Sequence, residues 1–142
     1  MLIAEILKDK GGEVFTGAPG QILTDIIQSL HDRRVGALVV CDKDQVVGIL
    51  SERDLVRAVA RDGAQALDRP VSNYMTRDVI FADPGETVDV LMERMTDRRI
   101  RHLPVLQDQK LIGVVSIGDL VKGKIAEATF ESDSMKAYIG AG

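Results

Sequence analysis

Two Ser-x-x-Asp motifs have the residue types and the spacing needed to bind a polar ligand. Ser51 and Asp54 form the first motif, and Ser116 and Asp119 form the second. At the start of a helix, the aspartate can accept hydrogen bonds from both hydroxyls of a ribose, while the serine hydroxyl and the free backbone N–H groups face a phosphate. The same spacing is also that of a capping box, which only stabilises the helix start. The sequence is compatible with both interpretations.

A glycine three residues before each serine favours the ligand interpretation. Gly48 and Gly113 lie in apolar, strand-like segments, where a residue without a side chain allows close approach of a ligand to the backbone. The arrangement also occurs at the same place in two related segments of the chain. Both observations strengthen the ligand interpretation of Asp54 and Asp119, which stays compatible with the capping box.

An internal repeat connects the two motifs. Shifting the chain by 65 residues places residues 16–57 on residues 81–122 without a gap, and 12 of the 42 aligned positions are identical. Chance would give about two or three identities at average residue frequencies. Residues 3–7 align with residues 71–75 when three extra residues are placed within residues 8–13 of the first copy. The chain therefore contains two copies of one structural unit.

The hydrophobic pattern predicts the same order of elements in both copies. Short β-prone segments at 14–16 and 79–81 precede Pro-Gly dipeptides, and apolar residues at i, i+3, i+4 and i+7 then predict a helix. The residues Asp83-Pro84-Gly85-Glu86 predict a capped start for this helix in the second copy. The strands that follow are predicted at 35–41, 46–50, 100–106 and 111–115, and the second helices begin near Ser51 and Ser116.

These elements predict a mixed α/β fold, or α+β, of two β-α-β-β-α units packed as a pseudo-two-fold pair. One such unit is too small to bury its sheet and helix faces alone, so the two copies must pack on each other. The predicted boundaries are residues 1–67 for the first repeat and 68–126 for the second. Residues 127–142 are predicted to form a tail with one short helix. Its apolar residues are Phe130, Met135, Tyr138 and Ile139.

The whole pattern resembles a pair of CBS domains, the tandem arrangement also called a Bateman module. The resemblance rests on the order of elements, the period, the Met75-Thr76 dipeptide, the segment 98–105 and the two Gly-x-x-Ser-x-x-Asp segments. The chain is most similar to small stand-alone bacterial CBS-pair proteins. The resemblance implies two clefts between the repeats that bind AMP, ADP, ATP, NAD(H) or S-adenosylmethionine. It also implies a homodimer that regulates an unidentified protein.

The resemblance also indicates which residues contact the ligand. Where the first copy has small residues, the second has Arg101 and His102, which are expected to meet phosphates. Arg53 has no counterpart in the second copy, so the two clefts need not prefer the same ligand. The paired arginines at 33–34 and 98–99 are interpreted in part as solvated helix ends. The predicted ligand-binding residues are Thr16, Ser51, Arg53, Asp54, Asp78, Ile80, Arg101, His102, Pro104, Ser116 and Asp119.

Composition and charge argue against several classes of protein. A net charge of −4 does not favour binding to a nucleic-acid backbone or to an anionic membrane. The apolar runs are also too short to cross a bilayer. The lone Cys41 and the two histidines lack the spacing of a metal site. We therefore expect a non-enzymatic protein without a catalytic cofactor. The single cysteine and the N-terminal sequence lead us to expect the cytoplasm.

The alternative function is a ligand-independent module for protein–protein interaction or dimerisation. In that case the two Ser-x-x-Asp motifs only cap helices, and replacing either aspartate changes stability alone. The sequence does not identify the regulated partner in either case.

Overall fold

The computed structural model describes residues 1–11 and 13–141, with side chains described as far as Lys136. Its elements alternate between helices and strands in the order that the repeat predicts. They are α1 Ile3–Lys10, β1 Thr16–Gly17, α2 Leu23–Arg33, β2 Ala37–Asp42, β3 Gln45–Ser51, α3 Glu52–Asp62, the 3-10 helices Gly63–Asp68 and Val71–Asn73, α4 Val88–Arg98, β4 His102–Gln107, β5 Lys110–Ser116 and α5 Ile117–Ala141.

The strands form one small sheet in each repeat. In the first sheet β1 pairs in parallel with β2, which forms an antiparallel hairpin with β3. In the second sheet β4 and β5 form the same hairpin, and Ala82 adds a single parallel bridge to Val105. The strand predicted at 14–16 is thus shifted to Thr16–Gly17, and the one predicted at 79–81 was wrong. Its place is taken by Ala82, the residue that runs close enough to β4 to exchange hydrogen bonds with it.

The two long helices that pack on the sheets are confirmed by their buried stripes. In α2 the buried residues are Leu23, Ile26 and Leu30, and α4 repeats this stripe 65 residues later. The predicted start of α4 was wrong, because the helix begins at Val88 with Thr87 as its N-cap. The residues 83–86 form a turn instead, which closes when the Asp83 N–H donates to Glu86 Oε1 at 2.9 Å.

The opening segments of the two repeats are exchanged between the cores. Ile3 and Ile6 of α1 lie in the core of the second repeat, among residues such as Leu91. Val71 and Met75 lie in the core of the first repeat. The boundaries predicted at 67 and 68 stay a prediction, but the packing crosses them in both directions.

Two glycines make room for this exchange. A Cβ on Gly48 would lie 2.5 Å from the sulfur of Met75, and a Cβ on Gly113 would lie 2.5 Å from Leu7 Cδ2. Real Cβ atoms do not come this close to other atoms, so the side chain of Met75 or Leu7 would have to shift to admit any other residue. The sequence interpretation that these glycines admit a ligand was therefore wrong, because they admit the side chain of the exchanged segment.

Helix α5 continues without a break from Ile117 to Ala141. The separate short helix predicted for the tail is therefore part of a longer one, since residues 124–139 contain neither proline nor glycine to end it. Phe130 and Met135 are exposed on this helix. The side chains of Tyr138 and Ile139 lie outside the described residues. Among the described helices, none is both long and apolar enough to cross a membrane.

We predict that Ile3→Ala destabilises the second repeat although Ile3 precedes the first. Ile3 is 0% exposed, and truncating such a buried side chain costs about 2–5 kcal/mol of unfolding free energy. Urea unfolding followed by circular dichroism measures the loss. Leu2→Ala is the matched control, because Leu2 is 42% exposed and its truncation should cost about 0.5 kcal/mol or less. Equal effects of the two substitutions would contradict the exchanged packing.

Candidate functional site

A cleft of about 770 Å³ lies between the two repeats. The first repeat contributes the end of β3 and the start of α3. The second contributes the chain after Met75, the end of α4 and the start of β4. Its volume falls within the range of about 300–1,000 Å³ that is typical of small-molecule sites. A ligand in this cleft would contact both repeats.

Ser51 and Asp54 form a complete capping box at the start of α3. The Ser51 N–H donates to Asp54 Oδ2 at 2.9 Å, and the Asp54 N–H donates to Ser51 Oγ at 3.4 Å. The Ser51 hydroxyl also lies 3.1 Å from Asp54 Oδ2. The carboxylate is only 7% exposed, yet it lines the cleft. The structural interpretation of this motif is confirmed, and its position keeps the ligand interpretation open.

Thr76 connects the exchanged segment of the second repeat to this carboxylate. Its hydroxyl donates to Asp54 Oδ1 at 3.0 Å. The backbone of Thr76 exchanges two hydrogen bonds of 3.0 and 2.9 Å with Ile49 of β3, which fixes the position of the hydroxyl. Because a carboxylate oxygen can accept two hydrogen bonds, Oδ1 keeps the capacity to accept one from a ligand.

Arginines from both repeats line the cleft. Arg53 reaches across it, and its guanidinium donates to the backbone oxygen of Arg99 at 3.0 Å. Arg99 exposes this oxygen because it ends α4 in the left-handed conformation, with a φ of 55°. Five arginines line the cleft against three carboxylates, although the whole chain has a net charge of −4. The arginines are Arg53, Arg57, Arg98, Arg99 and Arg101.

His102 lies at the start of β4 and lines the cleft. Burial lowers the pKa of its imidazole below the ordinary value, and Glu52 opposes this effect while Lys10 adds to it. Asp119 and Arg101 have smaller effects on this pKa, which act in opposite directions. His102 is therefore neutral at pH 7 in the free protein.

The remaining lining of the cleft is aliphatic. It provides flat apolar surface but no aromatic ring on which a planar group could stack. Pro104 is held in place by its carbonyl, which accepts a hydrogen bond of 2.9 Å from the Ala82 N–H. The apolar residues are Ile49, Val79, Ile80, Ile100, Pro104 and Ile117.

A comparison with protein families identifies both repeats. The model of the CBS domain matches residues 12–61 and again residues 71–125. The chain belongs to the CBS domain family. Its two matched segments correspond to the two copies found from the internal repeat, so the CBS pair predicted from the sequence is confirmed.

Relatives of this CBS pair include proteins of similar size. The crystal structure of a CBS-domain containing protein from Agrobacterium tumefaciens is 42% identical, with a TM-score of 0.85, covering 87% of this chain and 99% of that one. The mitochondrial CBS domain-containing protein CBSX3 of Arabidopsis thaliana is 34% identical over 99% of this chain and 72% of its own length. A CBS domain protein from Pyrobaculum aerophilum, solved in complex with AMP, is 29% identical with a TM-score of 0.73, covering 84% of this chain and 89% of that one.

The cleft brings together eight of the residues that the sequence singled out. These are Ser51, Arg53, Asp54, Asp78, Ile80, Arg101, His102 and Pro104. Thr16 lies on β1, paired with Val39, and is not among the residues that line this cleft. Ser116 and Asp119 form the corresponding capping box at the start of α5, where Asp119 meets Lys10.

Several lining residues were not predicted from the sequence. Arg57 could have been found, because it is four residues after Arg53 and helical spacing places both on one face of α3. Arg98 and Arg99 were interpreted in part as solvated helix ends, whereas both line the cleft. Nothing in the local sequence connects Thr76 with Asp54, since their contact depends on the exchange of opening segments. Among the described residues, no group of three or more His, Cys, Asp or Glu side chains could hold a metal ion.

We predict that His102 makes the CBS pair less stable in mild acid. The unfolded chain takes up a proton near the ordinary histidine pKa of about 6.5, whereas the folded chain takes it up only at lower pH. The contribution of His102 to the unfolding free energy is therefore fully present above the ordinary pKa, and it is lost as the pH falls towards the lower pKa of the folded chain.

Urea unfolding at about pH 7.5 and about pH 5.5 measures this effect, since the two values bracket the ordinary pKa. His102→Gln should reduce the difference in unfolding free energy between the two conditions. His31→Gln is the control, because His31 is exposed on α2. An equal reduction in both variants would show that His102 is not responsible.

Proposed function

We propose that this CBS pair is a regulatory module that binds an adenosine nucleotide in the cleft between its repeats. The observation that carries the proposal is the placement of Asp54 and five arginines around one cleft of about 770 Å³. A nucleotide has a sugar that donates hydrogen bonds, a phosphate that accepts them and a flat apolar base. The cleft offers a matching surface for each part.

The sugar fits the Asp54 side of the cleft. Asp54 keeps acceptor capacity on the oxygen that Thr76 contacts at 3.0 Å, and Ser51 and Thr76 hold the carboxylate in place. A fixed carboxylate that accepts hydroxyl hydrogen bonds gains strength from its charge and from its nearly buried position. The two interpretations of the Ser-x-x-Asp motif are thus compatible, because the capping box orients the group that binds the ribose.

The phosphate fits the arginines that line the cleft. Arg57, Arg98 and Arg101 line the cleft with guanidinium groups, which bind phosphate oxygens through paired N–H donors. His102 can add a further donor, because a nearby phosphate favours the protonated imidazole. This positive wall favours the phosphate-bearing ligands AMP, ADP, ATP and NAD(H) over S-adenosylmethionine, whose sulfonium carries a positive charge.

The base fits the aliphatic surface. Ile80 and Pro104 line the cleft near the segment that enters from Met75. Aliphatic walls bury a purine through the hydrophobic effect, and backbone groups of the same segment can hydrogen-bond its edge. The AMP complex of the Pyrobaculum aerophilum relative, which shares 29% of its residues with this chain, supports adenosine as the nucleoside.

Binding would regulate by connecting the repeats. A nucleotide that contacts α3 of one repeat and β4 of the other stabilises one relative orientation of the two. The equilibrium moves only by the difference in affinity for the two orientations. The role is thus binding rather than catalysis, and the regulated protein is a partner outside this chain. The cytoplasmic location stays a prediction.

One observation favours the ligand-independent alternative. Asp54 is 7% exposed and already accepts hydrogen bonds from Ser51 and Thr76, as a purely structural capping residue would. Under this alternative the cleft is a by-product of packing, and the module acts through its surface. Substitutions in the cleft separate the two functions.

We predict that Asp54→Asn weakens AMP binding by about 10- to 100-fold, which corresponds to the loss of charge-assisted hydrogen bonds worth about 1.5–3 kcal/mol. Isothermal titration calorimetry with AMP on the nucleotide-free protein measures the affinity. Because Asp54 also caps α3, Arg57→Gln is the second variant. Arg57 is exposed, so its replacement should weaken AMP binding while the unfolding free energy changes by about 0.5 kcal/mol or less.

The control for this experiment is Asp133→Asn, which removes an exposed carboxylate from the far part of α5. It should bind AMP like the unaltered chain. Unaltered affinity in both Asp54→Asn and Arg57→Gln would exclude the cleft as the site. Absence of AMP binding to the unaltered chain would favour the ligand-independent module.

We also propose that the CBS pair is a homodimer formed through exposed apolar faces of α3 and α5. Val56 is 69% exposed on α3, and Val121, which is 65 residues later on α5, is 41% exposed. Val59 and Ile125 extend the two faces and are also exposed. Related apolar surfaces on both repeats suit a two-fold dimer, whose interface must be self-complementary.

We predict that the double substitution Val56→Glu and Val121→Glu converts a dimer into a monomer, because charges in an apolar interface remain unpaired. Sedimentation equilibrium should then give 15.5 kDa instead of twice this mass. Val90→Glu is the matched control, since Val90 is exposed on α4. A monomer before substitution, or dissociation caused by Val90→Glu alone, would contradict this interface.

A further inference from the structure

The second Ser-x-x-Asp motif has the same backbone geometry as the first. The Ser116 N–H donates to Asp119 Oδ2 at 2.8 Å, and the Asp119 N–H donates to Ser116 Oγ at 3.2 Å. The internal repeat alone would therefore give the chain two equivalent ribose sites. The two carboxylates differ in the groups that approach them from the exchanged segments.

Asp119 is paired with a cation from its own chain. Lys10, the last residue of α1, donates to Asp119 Oδ2 at 2.7 Å and to the backbone oxygen of Val114 at 2.8 Å. In the part of the chain that the structure describes, Asp54 receives hydrogen bonds only from Ser51 and Thr76, which are neutral donors. Lys10 contacts the oxygen of Asp119 that the Ser116 N–H also contacts, whereas Thr76 contacts the other oxygen of Asp54. The second hydrogen bond of Lys10, to Val114, corresponds to the one that the Thr76 N–H donates to Ile49, so the ammonium lies where the Thr76 backbone N–H lies in the first cleft.

The equivalence of these positions follows from the packing of the opening segments. Leu7 packs on Gly113 as Met75 packs on Gly48, so the two segments approach their strands in the same way. Thr76 follows Met75 directly. After Leu7, helix α1 instead continues for about one more turn, which brings Lys10 to the carboxylate of Asp119.

A second cation of the first repeat contacts an aromatic ring of its own chain. The guanidinium of Arg33 lies 3.6 Å from the centre of the Phe15 ring. The 65-residue offset relates Arg33 to Arg98 and Phe15 to Ile80, and both of these line the first cleft. Arg33 and Phe15 are therefore engaged with each other in a cation–π contact, whereas their counterparts Arg98 and Ile80 line a cleft that a ligand can enter.

We propose that Lys10 closes the Asp119 position, so that each chain binds one nucleotide, in the Asp54 cleft. This inference rests on the proposed function, because it assumes that Asp54 binds the sugar. A ribose that bound Asp119 Oδ2 would have to displace the ammonium from this oxygen, and one that bound Oδ1 alone would meet a carboxylate whose charge Lys10 already neutralises. Lys10 is thus the residue that determines the number of nucleotides bound.

The electrostatics of Asp119 agree with a stable pair. Burial alone would raise the pKa of this carboxyl, but the hydrogen bonds from Lys10 and from the Ser116 backbone outweigh it and lower the pKa. The lowered pKa favours the charged carboxylate that Lys10 contacts.

The test is the stoichiometry of AMP binding to the full chain by isothermal titration calorimetry. The unaltered chain should bind one AMP, and Lys10→Met, which keeps the aliphatic part of the side chain, should bind two. Adding Asp119→Asn to Lys10→Met should abolish the gained site. Lys8→Met is the matched control, since Lys8 is an exposed lysine of the same helix, and it should bind one AMP.

A measurement without ligand tests the pair itself. The unfolding free energies of Lys10→Met, Asp119→Asn and the double variant should be non-additive, because the two residues interact. Additive effects would overturn the proposal whether or not AMP binds. So would two AMP molecules on the unaltered chain, or one AMP molecule on both the unaltered chain and Lys10→Met.

The outcomes also separate this inference from the proposed function. If the unaltered chain binds one AMP and Lys10→Met also binds one, Lys10 does not control the second position and the proposed function stands. If AMP binds only after Lys10→Met, the Asp54 cleft is not the site, whereas the role of Lys10 is upheld. If no variant binds AMP, both proposals fail for this ligand.

Discussion

The exchange of opening segments between the two repeats is the constraint on which the rest of the structure depends. Each repeat has a small sheet and two helices, which leave one side of its core uncovered. Ile3 and Ile6 cover that side in the second repeat, and Val71 and Met75 cover it in the first. Separating the repeats would therefore open both cores at once, so the cleft between them has walls that are fixed by buried apolar packing rather than by surface contacts.

The exchange also explains the composition of the cleft. Met75 is anchored against Gly48, and the next residue, Thr76, is thereby placed against both Ile49 and Asp54. The chain then continues along the cleft as far as Ile80 before Ala82 joins β4. A segment of the second repeat thus completes a site whose carboxylate belongs to the first. The affinity for any ligand bound there therefore depends on the relative position of the two repeats.

Much of this fold could be predicted from the sequence because the repeat supplies two independent versions of each element. The buried stripes of α2 and α4, the two hairpins and the capping boxes at Ser51 and Ser116 depend on local spacing, which a sequence displays directly. The exchange depends on which of two similar cores receives Ile3, and periodicity cannot distinguish them. For the same reason Gly48 was assigned to a ligand when its neighbour is Met75, and the contact of Thr76 with Asp54 was not foreseen.

The first copy has three more residues than the second between its opening helix and its first strand, and this difference changes the group that meets each capping box. The extra residues lie within 8–13, where α1 continues to Lys10, whereas the corresponding 3-10 helix ends at Asn73. Two otherwise equivalent capping boxes thereby meet different groups, an ammonium at one and a hydroxyl at the other. Only the ammonium also neutralises the charge of the carboxylate that it contacts, so the two carboxylates differ in their availability to a ligand. An insertion in a connecting segment is thus enough to make a symmetric frame chemically asymmetric.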